Sequence, residues 1–152
     1  MIIVLDSNIL FAALIKNSTV RSMIYQLNTI LVMPEVVLDA IRRYKHDLAP
    51  KPKLTEDDFE EILRLLLNCV RIIPNEQILP YRNEAWELVK DHSPEDVMFI
   101  ACALAFESSI LWSDDKKLKR QNKVTVLNTS EILKILNNRW SAPLKVDTEK
   151  RS

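Results

Sequence analysis

The chain has 152 residues, 47% of them hydrophobic and 28% charged, which suits a single domain with one core under an ordinary soluble surface. Its 21 basic residues balance 21 acidic ones, so no global field draws it onto nucleic acid, although a local basic rim remains compatible with that balance. Glycine is absent, which excludes the P-loop, the glycine-rich dinucleotide fingerprint and the G-x-S-x-G nucleophile elbow, and leaves turns to Asn, Asp, Ser and Pro.

Ile2 to Leu5 is a short continuous apolar run, the pattern of a strand buried on both faces. Asp6-Ser7-Asn8 offers capping residues for the helix that "ILFAALI" predicts. Asp6 also interrupts an N-terminal run that lacks a basic start, which is not the pattern of a signal peptide. Thr19 to Gln26 predicts a second short helix, with Val20, Met23, Ile24 and Leu27 along one face. The apolar residues of these two helices suit either a dimer face or the core. Thr29 to Val32 is the second predicted strand, and Pro34 is placed to open a helix running through Tyr44. "KHDLAPKPK", Lys45 to Lys53, is read as a connection inside the domain.

"TEDDFEEILRLLLNCV" predicts a helix capped by Thr55, its acids crowding the first turns where the helix dipole favours them. Val70 to Ile73 is a third strand, ended by Pro74-Asn75, and "YRNEAWELVKD" a helix. Ser93 caps the next helix, with Pro94 at its first position and Asp96 at its third. Its body, "VMFIACALAFES", is apolar nearly all round, as expected of a central helix buried against a sheet. Ile110 to Trp112 and Val124 to Leu127 are the fourth and fifth strands. "TSEILKILNN", capped by Thr129 or Ser130, is the last helix. Residues 1–138 therefore form one expected domain, and 139–152 a polar tail expected to be poorly ordered.

Short continuous strands alternating with helices predict an α/β fold with a parallel sheet of four to five strands covered on both faces. The apolar runs fall well short of the ~20 residues of a spanning helix, so a cytoplasmic protein is expected. Cys69 and Cys102 lie in apolar helical patterns and pair with neither His46 nor His92 at metal spacing. Two buried structural thiols and no zinc site are expected.

The acids carry the functional signal. One strand ends in Asp6, another runs through Ser113 into Asp114-Asp115, and Asp96 sits in the first turn of the most apolar helix. Singly, each is explained as a cap or a turn residue. Together they put several carboxylates beyond the carboxyl ends of one sheet, where open parallel sheets place their sites. Carboxylates that close do not all stay ionised without a cation. An all-oxygen set suits Mg²⁺ or Mn²⁺, which serve phosphoryl chemistry.

The order "IVLDSNIL", "PEVVLDAIRRY", "SPEDVMFIACALAF", "ILWSDDKKLKR" resembles the PIN-domain family of metal-dependent ribonucleases, which includes the VapC-type toxins of toxin–antitoxin systems. The resemblance covers about Met1 to Leu136. It implies a three-layer α/β/α fold and Mg²⁺- or Mn²⁺-dependent hydrolysis of RNA phosphodiesters, with a small antitoxin protein and a second copy of the chain as partners. By position it implies Asp6, Asp96 and Asp115 as metal-binding and catalytic acids, with Asn8, Ser113 and Asp114 in support. The family's Glu in the helix after the second strand falls at Ala40, with Asp39 just before it as a catalytic candidate about 100° away around the helix. That departure bears on activity more than on fold, and it supports the alternative of a catalytically weakened binding or scaffold module. A phosphatase-like domain with Asp6 as nucleophile ranks last, because Asn8 stands where a second acid is needed.

Arg42, Arg43, Lys116 and Lys117 adjoin the acids and are candidate contacts to RNA phosphates, in competition with an ordinary solvated face. Trp112 and Trp86 are expected in the core, and Trp140 is a candidate partner contact.

Overall fold

A computed structural model of the protein describes residues 1–15, 18–48 and 56–138. Five strands, β1 (Ile2–Leu5), β2 (Ile30–Pro34), β3 (Val70–Ile73), β4 (Ile110–Trp112) and β5 (Thr125–Leu127), form one parallel sheet in the order β3-β2-β1-β4-β5. Helices α1 (Ser7–Ala13), α2 (Thr19–Gln26), α3 (Val37–Leu48), α4 (Glu56–Cys69), α5 (Asn75–Ile78), α6 (Arg82–Val89) and α7 (Val97–Leu104) supply the crossovers. A last helix, α8, occupies residues 129–138, and short 3-10 turns lie at Leu79–Tyr81, Pro94–Asp96 and Lys116–Arg120. The result is the expected three-layer α/β/α architecture with one parallel sheet.

The apolar strands explain the layering. β1 is central, and its Ile3, Val4 and Leu5 are fully buried, which is why "IIVL" shows no alternation. Each such side chain withdrawn from water contributes about 1.5–3 kcal/mol. α7 packs across β1, β2 and β4, and burial of Val97, Phe99, Ile100, Ala101, Cys102 and Ala103 leaves it almost no wet face. The apolar residues of α1 and α2 also serve the core: Ile9, Leu10, Ala13, Met23 and Ile24 are buried within the single chain.

α7 ends earlier than its composition predicts. The Ala105 N–H closes onto Ala101 O, the Ser109 hydroxyl donates to Ala103 O at 2.7 Å, and the chain reverses through Ser108 at φ 58°. That left-handed position is one where glycine is usual, and a glycine-free chain fills it with serine.

Other boundaries shift for identifiable reasons. Pro34 does not open α3. It ends β2 opposite Ile73, at a strand end where the Glu35 N–H carries the ladder on to Ile73 O, and the helix starts at Val37 after a turn. The cap of α8 is Asn128 rather than Thr129 or Ser130. Asn128 Oδ1 accepts the Glu131 N–H at 2.9 Å and Glu131 Oε1 accepts the Asn128 N–H at 3.1 Å, a reciprocal capping box. Val124 is buried but precedes β5. α5 and the turn after it were not read from the sequence, because four residues are too few for periodicity to show.

Trp112 is core, whereas Trp86 is 38% exposed. Cys102 is buried as expected and its thiol is pushed up to about 12 by that burial, which leaves it inert. Cys69, at the last position of α4, is exposed instead of buried. α3 continues through Leu48, into the stretch read as a connection. Residues 49–55, including Thr55, and the tail 139–152, including Trp140, lie outside the described residues. Among the described residues, no helix is long and apolar enough to cross a membrane.

Candidate metal centre

The strand order reverses at β1: its first crossover leads out to β2, whereas β4 returns to its other side. The cleft beyond the carboxyl ends of β1 and β4 is therefore the topological switch point, the usual site in such sheets. Leu5 pairs with Trp112, so the next residue of each strand, Asp6 and Ser113, emerge side by side, and the Asp6 N–H donates to Trp112 O at 3.3 Å.

Asp6 caps α1, its Oδ1 accepting the Ile9 N–H at 2.9 Å, yet it is only 3% exposed. Burial pushes its carboxyl above the usual aspartate range. The Ser113 hydroxyl and the Ile9 amide pull it back, and the charges of Asp114 and Asp115 push it up again. Ser113, itself buried, accepts the Asp115 N–H at 3.1 Å and so links the two acids. Asp115 caps the Lys116–Arg120 turn, its Oδ1 accepting the Lys117 N–H at 3.0 Å.

Asp96 reaches the same cleft from the 3-10 turn that leads into α7. Pro94 fixes the backbone there, and the Asp96 N–H donates to Ser93 O at 3.0 Å. The Asp96 carboxyl is pushed up to about 6, first by burial, then by the charges of Asp6, Glu95 and Asp115, with Lys117 opposing. Glu95, Asp96 and Asp115 each offer a carboxylate oxygen, and these oxygens lie within 4.8 Å of one another. Glu95 was not among the residues read as site candidates. Its neighbours Pro94 and Asp96 accounted for the motif, and the only signal for it was a second acid in the helix-opening turn.

The remaining candidates divide. Asn8 is exposed in the first turn of α1. Asp114 faces α8, where its carboxylate accepts the Thr129 N–H and the Thr129 hydroxyl, each at 2.7 Å, while the Trp112 indole N–H donates to Thr129 Oγ1 at 3.1 Å. Asp39 lies in the first turn of α3, its side chain 72% exposed and paired with Arg42 at 3.3 Å, outside the group of three acids. Ala40 brings no ligand atom. Arg43 and Lys116 are exposed. The Lys117 ammonium is 3.6 Å from Glu95 Oε1 and 3.9 Å from Asp115 Oδ2.

The donor set is all carboxylate oxygen, and burial first, then the neighbouring charges, raises Asp6 and Asp96. It fits a hard divalent cation that takes oxygen ligands, such as Mg²⁺ or Mn²⁺.

A family model described as PIN domain matches residues 4–136, from within β1 into α8. Among solved structures, the chain is similar to one described as VapBC2 from Rickettsia felis bound to a DNA fragment from their promoter. The two share 19% identity with a TM-score of 0.65, over 84% of this chain and 98% of that chain. That likeness establishes the fold. A comparison with curated proteins gave no match.

Proposed function

We propose a function from one premise: this chain belongs to the PIN-domain family. It is a Mg²⁺- or Mn²⁺-dependent endoribonuclease that hydrolyses RNA phosphodiesters. The observation that carries this reading is the gathering of Asp96, Asp115 and Glu95 within 4.8 Å beside the buried Asp6, at the switch point of the sheet.

Asp6, Asp96 and Asp115 would hold the metal, with Asn8 and Ser113 in support. Ser113 fixes Asp6 through its hydroxyl and Asp115 through its backbone amide, so the carboxylates are oriented before any ligand arrives. A divalent ion there supplies charge to offset that developing on the scissile phosphate. One carboxylate orients or deprotonates the attacking water. The exposed Arg43 and Lys116 would meet phosphates as sequence-independent positioning contacts, with Arg42 and Lys117 recruited from their ion pairs. The likeness to VapBC2 supports a toxin role, restrained by a small antitoxin protein. Pairing with a second copy and a cytoplasmic location belong to the same reading.

The test is cleavage of a mixed RNA pool by the purified protein with Mg²⁺ or Mn²⁺. Asp6→Asn and Asp96→Asn should each lower the rate by about 10²–10⁴-fold. Activity that survives both substitutions sinks the metal-centre reading. One observation favours a second reading, a PIN fold retained for binding. α3 presents Ala40 at the family's Glu position, and its nearest acid is paired with Arg42. RNA or protein binding with no cleavage under either metal would select it.

A further inference from the structure

We infer that Glu95 supplies the fourth carboxylate of the metal centre, in place of the acid that α3 lacks. The inference rests on the metal-centre reading above. α3 offers the cleft nothing at Ala40, and the Asp39 carboxylate points into an exposed ion pair with Arg42. Glu95, by contrast, already has an oxygen within reach of Asp96 and Asp115.

Its backbone is held on both sides. Pro94 fixes the preceding φ angle, the Asp96 N–H is bonded to Ser93 O, and fully buried Ser93 is itself tied by its N–H to Val89 O at 2.8 Å. A separate observation points the same way. The Lys117 ammonium lies between Glu95 Oε1 and Asp115 Oδ2, so this pair of carboxylates from two different elements already shares a cation. A divalent ion is better matched than an ammonium to oxygens converging from three carboxylates, and Lys117 is exposed enough to swing out when it binds. The ligand set has in effect moved from the helix after β2 to the turn before α7, with the fold unchanged.

The experiment is Mn²⁺ binding to the full chain, read as free Mn²⁺ by electron paramagnetic resonance in the absence of RNA. Glu95→Gln should weaken binding about 10–100-fold, and by more than Asp39→Asn does, with an unchanged circular dichroism spectrum because the side chain is at the surface. Wild-type affinity in Glu95→Gln beside a clear loss in Asp96→Asn overturns this inference and leaves the metal centre standing. So does an Asp39→Asn variant that loses as much as Glu95→Gln. A wild-type chain that binds no Mn²⁺ overturns both.

Discussion

Asp96 is partly buried at the mouth of the cleft, and its titration has a definite sign. Its carboxyl stands at about 6 in the folded chain against an ordinary 3.8, with burial the first cause. The folded state therefore holds the proton more tightly than the unfolded one. The associated stability is complete below the unfolded value and is lost as pH rises through about 6. In chelator, the melting temperature of wild type relative to Asp96→Asn should fall between about pH 4 and pH 6.5, because Asn carries no proton to lose. A constant difference across that range contradicts the assigned environment. Asp6 is raised in the same direction, but both chains carry it, so to first order it cancels in that comparison. At this scale the sequence exposed the acids that end strands, because Asp6 and Asp115 follow uninterrupted apolar runs. It did not expose the partition between Asp114 and Glu95. Which carboxylate faces α8 and which faces the cleft depends on side-chain directions set by packing between elements distant in the chain.

Elements follow their local chemistry where that chemistry is strong. The strands β1 and β4 stand at their predicted bounds, since burial within the sheet leaves an unbroken apolar signature, and the edge strand β3 does so too, closed by Pro74 although its Arg71 is exposed. Ends were harder to read. β2 absorbed Pro34 because a strand terminus tolerates a missing N–H, and α8 took Asn128 as its cap from a run, N-T-S-E, in which three residues were all competent. Asn128→Ala should cost about 1 kcal/mol in chemical denaturation, the usual loss of a capping side chain. Ser130→Ala should be nearly silent. Equal losses from the two would return the cap to the position first read. The cap matters beyond α8, because the next residue, Thr129, donates to Asp114 and accepts from the Trp112 indole, and so ties the helix to the turn that carries Asp115.

For the molecule as a whole, crowded carboxylates without a cation store repulsion that a bound ion relieves. A ligand present at 100 times its Kd stabilises the fold by about 2.7 kcal/mol. For a domain of this size that corresponds to about 5–10 °C in Tm. Saturating Mn²⁺ should raise the melting temperature by that order, excess chelator should reverse it, and Asp6→Asn should blunt it. An unchanged wild-type Tm at millimolar Mn²⁺ counts against the site. The α/β class and parallel sheet were legible from the alternation of strand and helix. The order β3-β2-β1-β4-β5 was not read, since nothing local in a strand states which neighbour it will pair with.

The pairing of β1 with β4 has a kinetic corollary. Ile3 aligns with Ile110, so the central hydrogen-bonded ladder closes a loop spanning most of the chain, and its closure entropy must be met before the contact is gained. Asp6 and Asp115 remain strangers until that step. A nascent chain emerging from the ribosome carries its first acid long before the second exists, and the cleft between them cannot assemble until β4 and Asp115 have been made. On the ribonuclease reading proposed above, that order would withhold activity until synthesis of nearly the whole domain is complete.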